Sequence, residues 1–328
     1  MIVLEGVSKR YRVLEPGRGL GGFVRSLVKP RYREITALDN ISLTVPQGQV
    51  VGYIGPNGAG KSTTIKIIAG IVRPSAGRVV VAGRDPFRQR TAHQLELGVV
   101  MGHRTRLFWD LPVLESLRYH AKVYRLSQSG LDQRIGAMAR QFGIEGLLSQ
   151  PVRQLSLGQR VRCDLALAFL HHPRVLLLDE PTIGLDFDSK ALLRSAIRQV
   201  ASDLQTTVIL TSHDLDDVEA LSDRIVLLDE GRVLYDGTLR QLRAQHGVLP
   251  ELRLRLEAGA DQVRAWLEGL GGVREVYTHD GWVCVAHEGG GAPAAVLARL
   301  LPQTPVREMT THEPSIEEVL RRVYRGAR

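Results

Sequence analysis

Short apolar runs separated by Gly, Pro and Asn fill the first hundred residues, and the pattern predicts strands over 2–7, 41–45, 50–54 and 78–81. From 112 to 148 apolar positions recur at helical spacing (Leu114, Leu117, Ala121), which predicts a small helical subdomain over about 104–170. Residues 175–179 and 207–211 are continuous apolar runs of strand length, the pattern of central strands buried on both faces. The runs 225–229 and 232–235, parted by Glu230-Gly231, read as a hairpin. Past His246, Gly247 and Pro250 the order is strand (251–256), helix (261–270), a hairpin through Asp280-Gly281, helix (294–301), strand (306–309) and helix (315–323). That succession predicts a ferredoxin-like α+β unit, so the chain divides at about 1–245 and 246–328.

The 328 residues suit two domains, and 44% hydrophobic with 24% charged residues is the balance of a globular chain. No apolar run has the length of a membrane span and the N-terminus lacks the core of a signal peptide, so a cytoplasmic protein is expected. With only Cys163 and Cys284, neither a disulfide framework nor a cysteine zinc site is on offer. The net charge of +8 is uneven: a basic insertion over about 12–34 carries Arg12, Arg18, Arg25, Lys29, Arg31 and Arg33 against Glu15 and Glu34. Within it Phe23, Val24, Leu27 and Val28 beside Arg25 and Lys29 form a short amphipathic stretch suited to lipid, to a partner helix or to packing on its own cassette. After Pro250 acidic residues slightly outnumber basic ones, so that unit lacks the charge of a nucleic-acid reader.

The chemistry begins at GPNGAGKS, whose members are Gly55, Pro56, Asn57, Gly58, Ala59, Gly60, Lys61 and Ser62. It stands between a predicted strand and a helix starting at Thr63, where glycines let backbone N–H groups curl around a phosphate. Lys61 is placed to reach β- and γ-phosphates, and the Ser62 hydroxyl to ligand Mg²⁺. Asp179 closes the apolar strand 175–179 at its carboxyl end, where α/β sheets bind ligands, and is placed to hold Mg²⁺ through water. Glu180 follows, placed to polarise a water against the γ-phosphate.

Between these lies LSLGQR, with Leu155, Ser156, Gly158 and Gln159, and after them IGLD ending in Asp186 and TVILTS followed by His213. In this order the motifs resemble the ATP-binding cassette ATPases over about residues 1–240. The resemblance implies an α/β P-loop NTPase cassette: a mixed-sheet core, an antiparallel β subdomain and a helical subdomain, here followed by the small α+β domain. It implies that Tyr11 stacks on adenine and that two cassettes pair head to tail. Ser156 and the Gly158 amide would then touch the γ-phosphate held by the other subunit, and Asp186 would bridge the seam. It also gives His213 a γ-phosphate contact in its own subunit. Two positions depart from the family pattern. Leu157 replaces a glycine, and His103 replaces the glutamine that meets Mg²⁺ and the attacking water, a weaker ligand because Mg²⁺ prefers oxygen.

The segment 104–117, the basic insertion and the ending THEPSIEEVLRRVY resemble bacterial drug- and polysaccharide-export ATPases. The expected protein is therefore the ATPase subunit of an exporter, using ATP and Mg²⁺ at the cytoplasmic face of the inner membrane. Its expected partners are integral-membrane permease subunits and a second cassette, identical or not, with no direct nucleic-acid binding. The rival readings are an importer ATPase with a C-terminal regulatory domain, and a soluble cassette acting on nucleic acid or ribosomes.

Overall fold

The computed structural model describes residues 1–14, 32–101, 104–212, 214–245, 249–288, 291–312 and 315–326. Most of the basic insertion, His103 and His213 lie outside them. The chain divides into two compact units, Met1–Gly237 and Thr238–Arg328. The division falls ahead of the composition shift at His246 because helix Leu239–Gln245 packs against the last helix of the second unit.

In the first unit a six-stranded sheet has the order β5 (Leu97–Met101), β6 (Val175–Asp179), β7 (Thr207–Thr211), β3 (Val50–Ile54), β8 (Arg224–Asp229), β9 (Arg232–Gly237). Every pair is parallel except the β8–β9 hairpin. Side chains alternate across a strand, and β6 shows why its sequence has no polar position until the end. Leu176 and Leu178 enter one core with Leu117, Phe142 and Phe169, whereas Val175 and Leu177 enter another with Ile2, Tyr53 and Ile65. Helices α3 (Val113–Val123), α4 (Leu131–Gln141), α5 (Leu157–Phe169) and α6 (Phe187–Asp203) supply the first of these cores. The second is closed by α1 (Lys61–Ile68) and by an antiparallel sheet of order β2 (Tyr32–Val45), β1 (Ile2–Leu14), β4 (Ala76–Val81). The short helices α2 (Arg90–Gln94) and α7 (Leu215–Leu221) complete the unit.

Strands β1 and β2 run beyond the expected 2–7 and 41–45. Pairing continues from Arg10 opposite Thr36 to Leu14 opposite Tyr32, after register shifts between Leu4 and Arg10. This outer ribbon is largely exposed, so no alternation of apolar and polar residues announces it.

The second unit opens with α8 (Leu239–Gln245), followed by β10 (Glu251–Leu256), α9 (Ala260–Trp266), β11 (Val273–His279), β12 (Trp282–His287), α10 (Ala292–Leu300), β13 (Val306–His312) and α11 (Ile316–Gly326). Its sheet is antiparallel in the order β11-β12-β10-β13, the arrangement of the split β-α-β motif. Leu252, Leu254, Val263, Val283, Val285 and Val296 form a core of its own. Both hairpin turns read from sequence hold two left-handed residues: Glu230 (φ 44°) with Gly231 (φ 79°), and Asp280 (φ 48°) with Gly281 (φ 77°).

Candidate nucleotide site

Four parallel strands end side by side, so the segments leaving β5, β6, β7 and β3 emerge along one edge of the sheet. The turn after β3 is the glycine-rich loop, with Pro56, Asn57 and Gly58 exposed and Ala59 buried. Gly58 (φ 86°) and Gly60 (φ 103°) take left-handed backbone. At Gly60 a Cβ would also lie 2.5 Å from Leu38 Cδ2 and 2.6 Å from Ala37 O, so the loop is built for glycine on two counts. The β8–β9 turn secures it from beneath, Gly231 N–H donating to Ala59 O at 3.1 Å.

Helix α1 starts directly on this loop, and its first turn has no acidic residue to offset the positive end of the helix dipole. Tyr53, buried in β3, donates to Thr64 Oγ1 at 3.0 Å and fixes the helix to its strand. Ser62 is exposed and Thr63 half-buried at the mouth of the site. Lys61 is 9% exposed, its ammonium donating to Gly55 O (2.6 Å) and Pro56 O (3.0 Å). Burial pulls the Lys61 pKa below the ordinary lysine range, while the Glu180 and Asp179 carboxylates pull it back up. The lysine from one strand exit and the acids from another thus occupy one electrostatic neighbourhood.

Asp179, the last residue of β6, stands opposite Thr211 of β7 and accepts a hydrogen bond from its hydroxyl. Glu180 leaves the strand with φ 54°, a left-handed conformation costing a non-glycine residue roughly 1–2 kcal/mol. Its N–H donates to Thr211 O at 2.9 Å. Thr211 therefore fixes both acids, one through its side chain and the other through its carbonyl. The spacing of the sequence held no sign of it.

Ser156 caps α5 in a reciprocal capping box: Gln159 N–H donates to Ser156 Oγ (3.2 Å) and Ser156 N–H to Gln159 Oε1 (2.9 Å). Leu155 is buried below it. Leu157 packs over Gly184, where a Cβ would lie 2.9 Å from Leu157 Cδ2, and Gly158 faces Ser189 and Leu185. The departure at Leu157 is thus absorbed by contact with the IGLD turn. Asp186 caps α6, accepting from the Ser189 N–H and hydroxyl, both at 2.8 Å, and these bonds hold its carboxyl below the usual carboxylate range. Tyr11 is half-buried on β1, with Lys9 Nζ 5.0 Å from its ring centroid. The structure therefore groups Lys61, Asp179 and Glu180, and places Ser156, Gly158 and Asp186 along a second contiguous stretch.

The donor set fits MgATP. A hydroxyl and a carboxylate are hard oxygen ligands, and the described residues contain no cluster of three His, Cys, Asp or Glu.

The family model described as ABC transporter matches residues 38–183. The ABC transporter ATP-binding protein NatA of Bacillus subtilis (strain 168) is 35% identical over 212 residues, 65% of this chain and 86% of that protein. The daunorubicin resistance ATP-binding protein DrrA3 of Streptomyces coeruleorubidus is 36% identical over 217 residues, 66% of this chain and 68% of the relative. The Fe(3+) ions import ATP-binding protein FbpC of Escherichia coli O157:H7 is 33% identical over 218 residues, 66% of this chain and 62% of its own. Among solved structures, the post-hydrolysis dimer of the cassette MJ0796 bound to ADP and Pi superposes with TM-score 0.61 at 25% identity, covering 73% of this chain and 99% of that one. The chain belongs to the ABC transporter ATP-binding family, and its first unit is an ATP-hydrolysing cassette.

Proposed function

We propose that this protein is the ATPase subunit of a bacterial exporter, hydrolysing MgATP in a head-to-tail cassette dimer that drives partner permeases at the cytoplasmic face of the inner membrane. The observation that carries the chemistry is the glycine loop with Lys61 held on the Gly55 and Pro56 carbonyls, leaving β3 along the same sheet edge from which Asp179 and Glu180 leave β6. Loop amides and Lys61 bind the β- and γ-phosphates, the lysine exchanging its two carbonyl bonds for phosphate oxygens. Ser62 and Asp179 would hold Mg²⁺, which when bound neutralises charge on the transferring phosphoryl group. Glu180 takes a proton from water as the water oxygen bonds to the γ-phosphorus; the bond from that phosphorus to the β–γ bridging oxygen breaks, and ADP leaves with its electron pair, giving phosphate. Tyr11 lies along the adenine. Ser156, the Gly158 amide and Asp186 meet the nucleotide held by the second copy, where the α5 dipole favours an anion. His103 and His213 are assigned the metal-and-water loop and the γ-phosphate contact through the family resemblance.

The resemblance of 104–117 and the drug-resistance relative support export, while import proteins such as FbpC match at similar identity. Phe108, Trp109, Leu111 and Tyr119 in and beside that segment are exposed, an apolar surface fit for a membrane subunit. Reconstitution with the membrane subunit that co-purifies with it tests the direction. Cargo should move away from the nucleotide-exposed side with no further protein added; an absolute need for a substrate-binding protein on the opposite side would establish the importer reading instead.

A further inference from the structure

Asp217, on α7, has no exposed surface, yet its carboxylate is the meeting point of three separate segments. Thr182 Oγ1 donates to it from two residues beyond Glu180. Ser212 Oγ donates at 3.2 Å from the residue that follows β7. Arg194 Nε donates at 2.6 Å from α6, the helix capped by Asp186. A carboxylate offers about four acceptor positions, so three donors leave it little freedom. Asp214 extends the cluster: it pairs with Lys190, lies 3.8 Å from Arg194, and its N–H donates to Ser212 Oγ at 3.0 Å.

Anchoring α7 does not call for such an arrangement, because Val218 and Leu221 already bury it. A buried carboxylate–guanidinium pair also contributes little net stability against an apolar replacement of the same volume. What it supplies is direction. Glu180 sits in a left-handed conformation, held from one side by Thr211 O; the Thr182 hydroxyl bond holds the chain from the other side, two residues downstream. The same carboxylate fixes Ser212, the residue before His213 in the sequence.

We propose that Asp217 is a positioning residue for hydrolysis: through Thr182, Ser212 and Arg194 it locks the exits of β6 and β7 to α6, so that Glu180 keeps one geometry toward the attacking water. The proposal rests on the reading of Glu180 as the group that polarises this water.

Thr182→Val removes one hydroxyl at nearly constant shape, and Thr182→Ser restores it. Steady-state MgATP hydrolysis, nucleotide affinity and thermal midpoint are measured for both, alone and combined with Glu180→Gln. Thr182→Val should lower kcat about 10-fold or more, as misplacement of a reacting group does, with KM and nucleotide affinity unchanged. Thr182→Ser should return kcat to the wild-type value, and Thr182→Val should add nothing to the residual rate of Glu180→Gln. If Thr182→Val yields too little folded protein, Ser212→Ala, which removes the other hydroxyl on the Asp217 carboxylate, takes its place: kcat should fall with KM unchanged, and wild-type kcat would overturn the positioning role. Wild-type kcat in Thr182→Val while Glu180→Gln is inactive would overturn the positioning role alone, as would a loss that serine does not repair. Wild-type turnover in Glu180→Gln would overturn the reading of Glu180, and the positioning role with it.

Discussion

His171 shows how a single burial choice sets pH dependence. It is buried, its ring stacked on Tyr124 with centroids 3.7 Å apart, and its Nε2 is 3.1 Å from Leu97 O. Burial, aided by the nearby positive charges of Arg106, His172 and His120, lowers its pKa to about 4, against about 6.5 in an unfolded chain. Above pH 6.5 both states hold the neutral ring. As the pH falls from there toward 4, the unfolded chain takes up a proton that the folded one refuses, so stability declines across that window by roughly 3 kcal/mol from this group. His171→Phe keeps the stack and removes the titration. Chemical denaturation between pH 7 and 4 should show a shallower loss in the variant; parallel slopes would mean that His171 is protonated in the fold. None of this was visible in the sequence, where His171-His172 is a polar pair ending a helical run. The candidate site divides the same way. Gly55 to Ser62, Asp179-Glu180 and Ser156 are local patterns whose chemistry follows from adjacency. The Thr211–Asp179 and Thr182–Asp217 bonds span 32 and 35 residues and leave no periodic trace.

At the scale of the element, legibility tracks burial. Strands β3, β6, β7 and β10 begin and end where the apolar runs do, because two-sided or alternating burial writes itself into the sequence. Strand β1 outruns its pattern from Lys9 to Leu14, where the chain is held by pairing with β2 and selection for apolar residues is relaxed. Helix α5 joins stability to the proposed chemistry at one residue. Ser156→Ala should cost about 1 kcal/mol by loss of the cap. Ser156→Asp should not, since Asp caps as well as Ser and its charge suits the helix N-terminus. It nevertheless sets a carboxylate where the dimer reading places a phosphate. The expected result is an unchanged thermal midpoint and unchanged ATP affinity in one subunit, with turnover lost; wild-type turnover in Ser156→Asp would show that this N-terminus meets no phosphate.

On the scale of the whole molecule, the chain joins two units that each close their own core, and no helix among the described residues is long and apolar enough to cross a membrane. One copy supplies the glycine loop and the two acids; the capped start of α5 is exposed and offers its dipole outward. In the proposed function, hydrolysis by Glu180 reopens a dimer that ATP has closed. The most direct measurement is the Glu180→Gln protein followed by size-exclusion chromatography with ATP and Mg²⁺, alongside its turnover. The amide keeps size and shape and cannot take the proton, so turnover should fall at least about 10²-fold, as loss of a general base does, while ATP stays bound and the protein elutes as a dimer. A monomer under these conditions, or turnover at the wild-type rate, would show that Glu180 does not drive reopening of an ATP-closed dimer.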